Sequence, residues 1–146
     1  MKLAFGSDHA GYALRTQMED TAKKEGHKVA SYGAAGEESY DYPLAADEVC
    51  RAVLDGGADL GIVICGSGIG VSIRANRYPG IRCALCTTVE MGQLSRLHNH
   101  ANVLALGQRI TDPALATQIL LAFLNTSPDQ AERHERRVRQ LDAGCP

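Results

Sequence analysis

One stretch near the middle of the chain limits the folds open to it. Residues 62–64 are three consecutive β-branched apolar residues, and they run into Cys65 and a turn with glycine at 66, 68 and 70. Apolar spacing resumes at Val71 and Ile73. A continuous apolar run that ends in glycines is typical of a buried parallel strand, and the spacing after it is typical of a helix. The stretch therefore predicts a strand that passes through a tight turn into a helix.

This turn has a possible chemical use. Glycines allow close approach of a ligand, and the first N–H groups of a helix have no partner within it, so the turn suits a phosphate or an enolate oxygen. Cys65 lies at the mouth of these donors, which would stabilise a thiolate. Alternatively, Cys65 is a small buried side chain and the glycines serve only the bend. The sequence matches neither a P-loop nor a dinucleotide fingerprint, and Val71 stands where a Cys-x5-Arg phosphatase loop needs arginine.

The remaining periodicity predicts the fold class. Further strands are expected at 2–6, 29–32, 81–86 and 103–107, and helical spacing separates them. The last two helices are predicted at 113–124 and at about 128–141. Strands that alternate with helices indicate right-handed βαβ units. We therefore predict a Rossmann-like α/β three-layer sandwich, with a five-stranded parallel sheet and helices on both faces, in one domain over residues 1–146.

Composition excludes several classes of partner. The chain has 146 residues, of which 22% are charged, and a net charge of -2. This balance argues against a nucleic acid or a membrane surface as the main partner. Asp8 and His9 interrupt the short apolar start, and no apolar run approaches the roughly 18 residues of a membrane span. The sequence predicts a cytoplasmic protein.

The cysteines indicate reduced thiols. There are five, an odd number without framework spacing, as expected in a reducing compartment. Cys83 and Cys86 have the spacing of a redox pair, but they lie in a predicted strand, where residues three apart point to opposite faces. We therefore expect both to be structural.

Polar residues follow the predicted strands at the edge where ligands bind in open α/β sheets. Asp8 and His9 follow the first strand, and Tyr42 directly precedes a helix that Pro43 can open. Taken alone, Asp8 is better explained as a helix cap and His9 as a solvated loop residue. Tyr42 is either a packed aromatic or a ring whose hydroxyl reaches a substrate.

A polar segment before the last strand carries two histidines. His98 and His100 would both face one side of a strand and could bind a metal, but no third ligand stands at a supporting spacing, so no metal site is predicted. His98 followed by Asn99 at a helix end is better explained as a general acid or base beside an orienting amide.

The predicted last helix contains an arginine pair. Arg133 and Arg137 are four residues apart, so they share one helical face and could grip one phosphate. The alternative is a solvated charged face.

Taken together, these motifs resemble the type B ribose-5-phosphate isomerase family, which includes galactose-6-phosphate isomerase subunits. The resemblance runs nearly from end to end, in the segments Gly6–Gly11, Asp41–Pro43, Cys65–Gly70, Ala75–Asn76, Leu94–Asn99, Asn102–Leu104, Gly107–Arg109, Arg133–His134 and Arg137.

The resemblance implies a dimer-based fold, a homodimer or a dimer of dimers, that interconverts an aldose phosphate and its ketose without metal or organic cofactor. By the same resemblance, Cys65 moves the proton between C1 and C2, and His98 assists opening of the furanose ring. The anion hole would comprise Gly66, Ser67, Gly68, Ile69 and Gly70. The sugar hydroxyls and ring oxygen would be held by Asp8, His9, Tyr42 and Asn99. The phosphate would be held by Arg109, Arg133 and Arg137. His98, Asn99 and Arg109 would come from the partner of the chain that supplies Cys65.

The chain departs from the family pattern at a few positions. One branch of the family uses a glutamate where this chain has Val71, so the presence of Cys65 indicates the cysteine branch. Ser67 replaces a threonine and keeps the hydroxyl, while His100 replaces a frequent aspartate. Ribose 5-phosphate is the expected substrate. Allose 6-phosphate, galactose 6-phosphate or a tetrose 4-phosphate remain alternatives, as does a sugar-phosphate- or nucleotide-binding module without turnover.

Overall fold

The computed structural model describes residues 1–145, in which strands and helices alternate along the chain. The strands are β1 (Lys2–Ser7), β2 (Lys28–Gly33), β3 (Leu60–Cys65), β4 (Cys83–Leu85) and β5 (Val103–Gly107). The helices are α1 (Tyr12–Lys24), α2 (Tyr42–Leu54), α3 (Ile69–Ala75), α4 (Val89–Asn99), α5 (Pro113–Asn125) and α6 (Glu132–Asp142), with a short 3-10 turn at His9–Gly11 before α1.

The five strands form one parallel sheet in the order β2-β1-β3-β5-β4. The strand predicted at the glycine-rich turn, β3, lies at its centre. Phe5 of β1 lies beside Ile62, and Ile64 lies beside Leu106 of β5. The carboxyl ends of β1, β3 and β5 therefore meet at one edge, as the sequence predicted.

Side chains that alternate along β3 build two separate cores. Ile62 and Ile64 face a cluster that α1 and α5 cover, whereas Val63 and Cys65 face a cluster that α2 and α3 cover. All four side chains are at least 96% buried, which is why the segment has no polar residue to alternate with. The predicted three-layer sandwich is confirmed.

The predicted fourth strand was too long. It spans Cys83–Leu85 instead of 81–86, because β4 is an edge strand whose ladder to β5 runs only from Cys83 to Leu85. On the unpaired edge of β4, the side chain of Asn76 accepts a hydrogen bond from the N–H of Cys83 at 2.8 Å and donates one to its C=O at 2.9 Å. Cys83 packs against one core and Cys86 against the other, which confirms the prediction that they point to opposite faces of the sheet.

The predicted last helix began too early. Helix α6 starts at Glu132, not at about residue 128. Asp129 explains the difference: its backbone N–H donates to the C=O of Leu97 in α4 at 3.0 Å, and its side chain accepts from the N–H of Ala131 at 2.9 Å. These tertiary and local bonds replace the first turn of a helix.

Candidate active site

The turn after β3 closes around the sulfur of Cys65. Gly68 adopts φ +77° at the N-terminus of α3, a left-handed conformation that favours glycine. Its N–H donates to Cys65 Sγ at 3.2 Å, and the N–H of Ile69 donates to Ser67 Oγ at 3.2 Å. The predicted strand, turn and helix thus direct a backbone donor at the sulfur.

Two other contacts in this region need a residue without a Cβ. A Cβ on Gly70 would lie 2.6 Å from the ring of Tyr42, and one on Gly107 would overlap the backbone of Ser67. Glycine at 70 therefore lets the tyrosine ring lie on the first turn of α3, and glycine at 107 lets β5 end directly against the turn.

The loop after β5 is joined to the turn by backbone hydrogen bonds. The N–H of Gln108 donates to the C=O of Cys65, and the N–H of Arg109 donates to the C=O of Gly66, each at 2.9 Å. The guanidinium of Arg109 lies over Gly66, where an added Cβ would be 3.2 Å from Nη1. Arg109 thus lies in the cleft of its own chain, which corrects the expectation that it comes from a partner.

Asp8 and His9 complete the cleft at the end of β1. Asp8 is 7% exposed, and its Oδ1 accepts from the N–H of Gly11 at 2.9 Å, so it is a cap as well as a lining residue. His9 is exposed, and its Nδ1 faces the N–H of Tyr40 at 3.2 Å. Because that N–H can only donate, Nδ1 accepts and a neutral His9 carries its proton on Nε2.

These side chains surround a cleft of about 640 Å³, a volume suited to a small molecule. Apolar side chains, including Ile73 and Ile110, form part of its rim and are more than half exposed. The predicted site residues that line the cleft are Asp8, His9, Tyr42, Cys65, Gly66, Ser67, Ile69, Gly70 and Arg109. Gly68 belongs to the same turn through its bond to Cys65.

The other predicted residues lie elsewhere in the chain. His98 and Asn99 are the last two residues of α4. That helix joins the parallel neighbours β4 and β5, so it runs antiparallel to them and ends at the opposite edge of the sheet from Cys65. Arg133 and Arg137 are exposed on α6, which packs against α4. One chain therefore carries two groups, or half-sites, of predicted site residues at opposite edges of its sheet.

The second half-site contains two further residues, His134 and Asp129, to which the sequence analysis assigned no role. His134 is 5% exposed and stacks on His98, with ring centroids 4.4 Å apart, and its Nδ1 lies 2.9 Å from Asp129 Oδ2. The spacing of His134 and Val138, which share the buried face of α6, was the available signal. The N–H of Ala131, aided by the imidazole of His134, lowers the pKa of Asp129.

The histidines do not form the metal site considered from the sequence. His98 faces His134, and His100 Nε2 lies 2.7 Å from the C=O of Asp129. Because a carbonyl only accepts, this Nε2 carries a proton and is not free to bind a metal. Within residues 1–145, no three His, Cys, Asp or Glu side chains are grouped as metal ligands would be.

The thiols differ in their access to the cleft. Burial raises the pKa of Cys50 to about 12 and that of Cys86 to about 11, and burial also raises the pKa of Cys83. These three are inert core side chains at neutral pH. Among the cysteines of residues 1–145, Cys65 is the one that lines the cleft.

No helix in residues 1–145 has both the length and the apolar character needed to cross a bilayer.

Comparison with known proteins agrees with this architecture. The sequence profile described as "Ribose/Galactose Isomerase" matches residues 3–141. Ribose-5-phosphate isomerase B from Escherichia coli K12 is 41% identical over 142 residues, which cover 97% of this chain and 95% of that protein. Its namesake from Mycobacterium tuberculosis H37Rv is 40% identical over 140 residues, covering 94% of this chain and 86% of that protein.

Solved structures give the same result. Ribose-5-phosphate isomerase B from Clostridium thermocellum superposes with a TM-score of 0.95 at 46% identity, covering 97% of this chain and 95% of that one. The type B enzyme from Trypanosoma brucei superposes with a TM-score of 0.93 at 40% identity, covering 97% and 96%. This chain therefore belongs to the ribose/galactose isomerase family, a family of aldose–ketose isomerases.

Proposed function

We propose that this chain interconverts ribose 5-phosphate and ribulose 5-phosphate, with Cys65 as the base and no metal or organic cofactor. The observation that carries the proposal is the position of Cys65: its sulfur lines the cleft and accepts a hydrogen bond from the N–H of Gly68. A backbone donor at this position stabilises negative charge on sulfur. The relatives named ribose-5-phosphate isomerase B support the choice of substrate.

The reaction needs a proton to move between adjacent carbons. With the sugar in its open-chain form, the Cys65 thiolate takes the proton from C2. The electron pair of that C–H bond forms the C1–C2 double bond of an enediolate, and the π pair of the C1 carbonyl moves onto its oxygen. Return of the proton to C1, with transfer of a proton from the oxygen on C2 to the oxygen on C1, gives the ketose. Base catalysis of this kind contributes typically 10²–10⁴-fold to the rate.

The enediolate carries negative charge on oxygen, which fixed donors must stabilise. The turn of residues 66–70 brings backbone N–H groups and the Ser67 hydroxyl to the cleft directly after Cys65, and the N-terminus of α3 adds the positive end of its dipole. Asp8, His9 and Tyr42 stand across the cleft, where they can hold sugar hydroxyls.

Ring opening and part of phosphate binding require a second copy of the chain. His98, Asn99, Arg133 and Arg137 are too far from Cys65 of the same chain to touch one substrate, since strands of five or six residues span roughly 17–20 Å. We infer a homodimer, or a dimer of dimers, in which His98 and Asn99 of one chain face Cys65 of the other. In this arrangement, Arg109 contacts the substrate from the same chain as Cys65.

The first experiment measures substrate range. Purified protein is assayed with the 5-phosphate of ribose, the 6-phosphates of allose and galactose, and the 4-phosphate of erythrose, with and without a chelator. We expect the highest kcat/KM on ribose 5-phosphate and no effect of the chelator. A higher value on another sugar would reassign the substrate. Binding without turnover on any of them would indicate a binding module.

The second experiment tests the shared site. Cys65→Ala and His98→Ala should each be nearly inactive, but a mixture that has been dissociated and reassembled contains hybrids with one intact site. We expect such hybrids to recover up to about half of the parent activity per dimer, by counting intact sites. A mixture as inactive as its components would mean that each chain builds its own site. If the protein in these assays consists of residues 1–146, recovery of activity would also support the prediction that these residues form one isomerase domain.

A further inference from the structure

Asp129 lies at the junction between α4 and α6, and each of its polar groups has a different partner. Its N–H donates to the C=O of Leu97 at 3.0 Å, and its C=O accepts from His100 Nε2 at 2.7 Å. Its Oδ1 accepts from the N–H of Ala131 at 2.9 Å, and its Oδ2 lies 2.9 Å from His134 Nδ1. The backbone of Asp129 thus holds the end of α4, and its carboxylate holds the start of α6.

The carboxylate determines which nitrogen of His134 carries the proton. A carboxylate only accepts, so Nδ1 of His134 is the protonated nitrogen. In the neutral ring, Nε2 is then free to accept, and the Nε–H of Arg133 lies 3.4 Å from it. The same ring supports His98, with centroids 4.4 Å apart. One buried imidazole therefore touches both a proposed phosphate ligand and the proposed ring-opening residue.

His100 closes the junction from the side of α4. It adopts φ +49°, the left-handed conformation that ends the helix, and this directs its imidazole at the C=O of Asp129. His98 and Asn99 directly precede it, so the bond fixes the segment that carries them. His100, which stands where the family often has an aspartate, thus has a structural partner within its own chain.

We propose that Asp129 is a positioning residue: through His134 it orients Arg133, and together with His100 it holds His98 at a set distance from that arginine. This inference rests on the proposed function, because it assigns Asp129 to the half-site that meets the cleft of the second copy. A sugar phosphate presents its phosphate and its ring oxygen a set distance apart, so two groups that bind them gain from a rigid connection.

The discriminating change is Asp129→Asn, which keeps the backbone bonds and the size of the side chain. The amide can place an NH₂ group toward His134 Nδ1, which must then accept, so the proton moves to Nε2. Nε2 can no longer accept from Arg133, and the arginine loses its orientation. We expect KM for ribose 5-phosphate and the inhibition constant for inorganic phosphate to rise together, by about fivefold to tenfold, with a smaller change in kcat.

The tautomer of His134 provides a readout independent of activity. In ¹⁵N-labelled parent protein, His134 should carry its proton on Nδ1 when neutral, and in Asp129→Asn on Nε2. Asp129→Glu, which retains a carboxylate, should restore the parent tautomer and part of the phosphate affinity. A parent spectrum with the proton on Nε2 overturns the proposal without any variant. Unchanged KM and unchanged inhibition by phosphate in a folded Asp129→Asn protein would also overturn the proposal.

The matched control is Glu132→Gln, which removes a carboxylate from the start of the same helix. Glu132 pairs with Arg136 at 3.1 Å in an exposed position, so loss of charge alone predicts a change within about twofold. An effect as large as that of Asp129→Asn would assign the result to charge and overturn the positioning role. If the parent isomerises no sugar, the proposed function fails, while the tautomer and binding of inorganic phosphate still test this inference.

Discussion

Gly68 and Cys65 are linked by a hydrogen bond from the N–H of the glycine to the sulfur of the cysteine, at 3.2 Å. The glycine makes this bond from a left-handed conformation at the start of α3. The proposed base and the proposed backbone donors are therefore parts of one turn, and the positions of the backbone donors do not depend on side-chain rotamers.

The cysteine is the most direct test of the proposed chemistry. Cys65→Ala should lower kcat by 10²–10⁴-fold, because the base is lost, while KM stays within about tenfold of the parent. Steady-state kinetics on ribose 5-phosphate measures both. Cys50→Ala is a buried cysteine control outside the cleft, and folded protein should retain its kcat. More than about a tenth of parent kcat in Cys65→Ala would rule out Cys65 as the base.

Variants of the arginines in α6 test whether these residues bind phosphate or only form a solvated charged face. Arg133→Ala and Arg137→Ala should each weaken substrate binding by roughly 1.5–3 kcal/mol, the scale of a charge-assisted hydrogen bond. Arg136→Ala is the control, because it lies about 100° around the helix and pairs with exposed Glu132. KM for the three variants decides the question. If all three stay within twofold of the parent, the phosphate is held elsewhere.

Gly107 should be intolerant of even a methyl group. Gly107→Ala forces a Cβ into the backbone of Ser67, so we expect a loss of about 1–3 kcal/mol in the free energy of unfolding and a displaced turn with reduced kcat. Urea denaturation and kinetics measure the two effects. At Gly36 an added Cβ meets nothing within 4 Å, so Gly36→Ala should leave both unchanged. Equal behaviour of the two variants would contradict the tight junction between β5 and the turn.

Asp47 should contribute to stability in a manner that depends on pH. Its carboxylate accepts from Arg74 at 2.7 and 3.0 Å, between α2 and α3, and these bonds lower its pKa from 3.8. Since the folded-state pKa is the lower one, the contribution is complete above pH 3.8 and is lost as pH falls through the folded-state pKa. Arg74 is 44% exposed, so the pair contributes at most about 1 kcal/mol.

Urea denaturation at several pH values measures this contribution. Asp47→Asn should be less stable than the parent at pH 7, and the difference should shrink below pH 3.8. The exposed pair of Asp20 and Lys23, 3.9 Å apart, provides a control in Asp20→Asn, for which little difference is expected at any pH. A difference for Asp47→Asn that is constant with pH would mean that the carboxylate charge is not what stabilises the pair.

The sequence by itself determined the sheet and the half-site built on it. The run of β-branched residues before Cys65 is apolar on both faces, which only a covered central strand tolerates, and Gly68 can adopt the left-handed conformation that the turn requires. Asp8, Tyr42 and Arg109 meet Cys65 because carboxyl ends of parallel strands share an edge. These are consequences of period and backbone geometry, which neighbouring residues in the sequence encode.

Only the tertiary structure decided the other half-site and its junction. The bonds of Asp129 to Leu97 and His100 join segments about thirty residues apart, and they end α4 and delay the start of α6 where local propensity favoured a longer helix. The placement of Arg109 beside Gly66 of its own chain likewise depends on how close β5 lies to β3. Such contacts follow from packing between segments that are distant in the sequence, and a local pattern of residue types does not encode how close those segments lie.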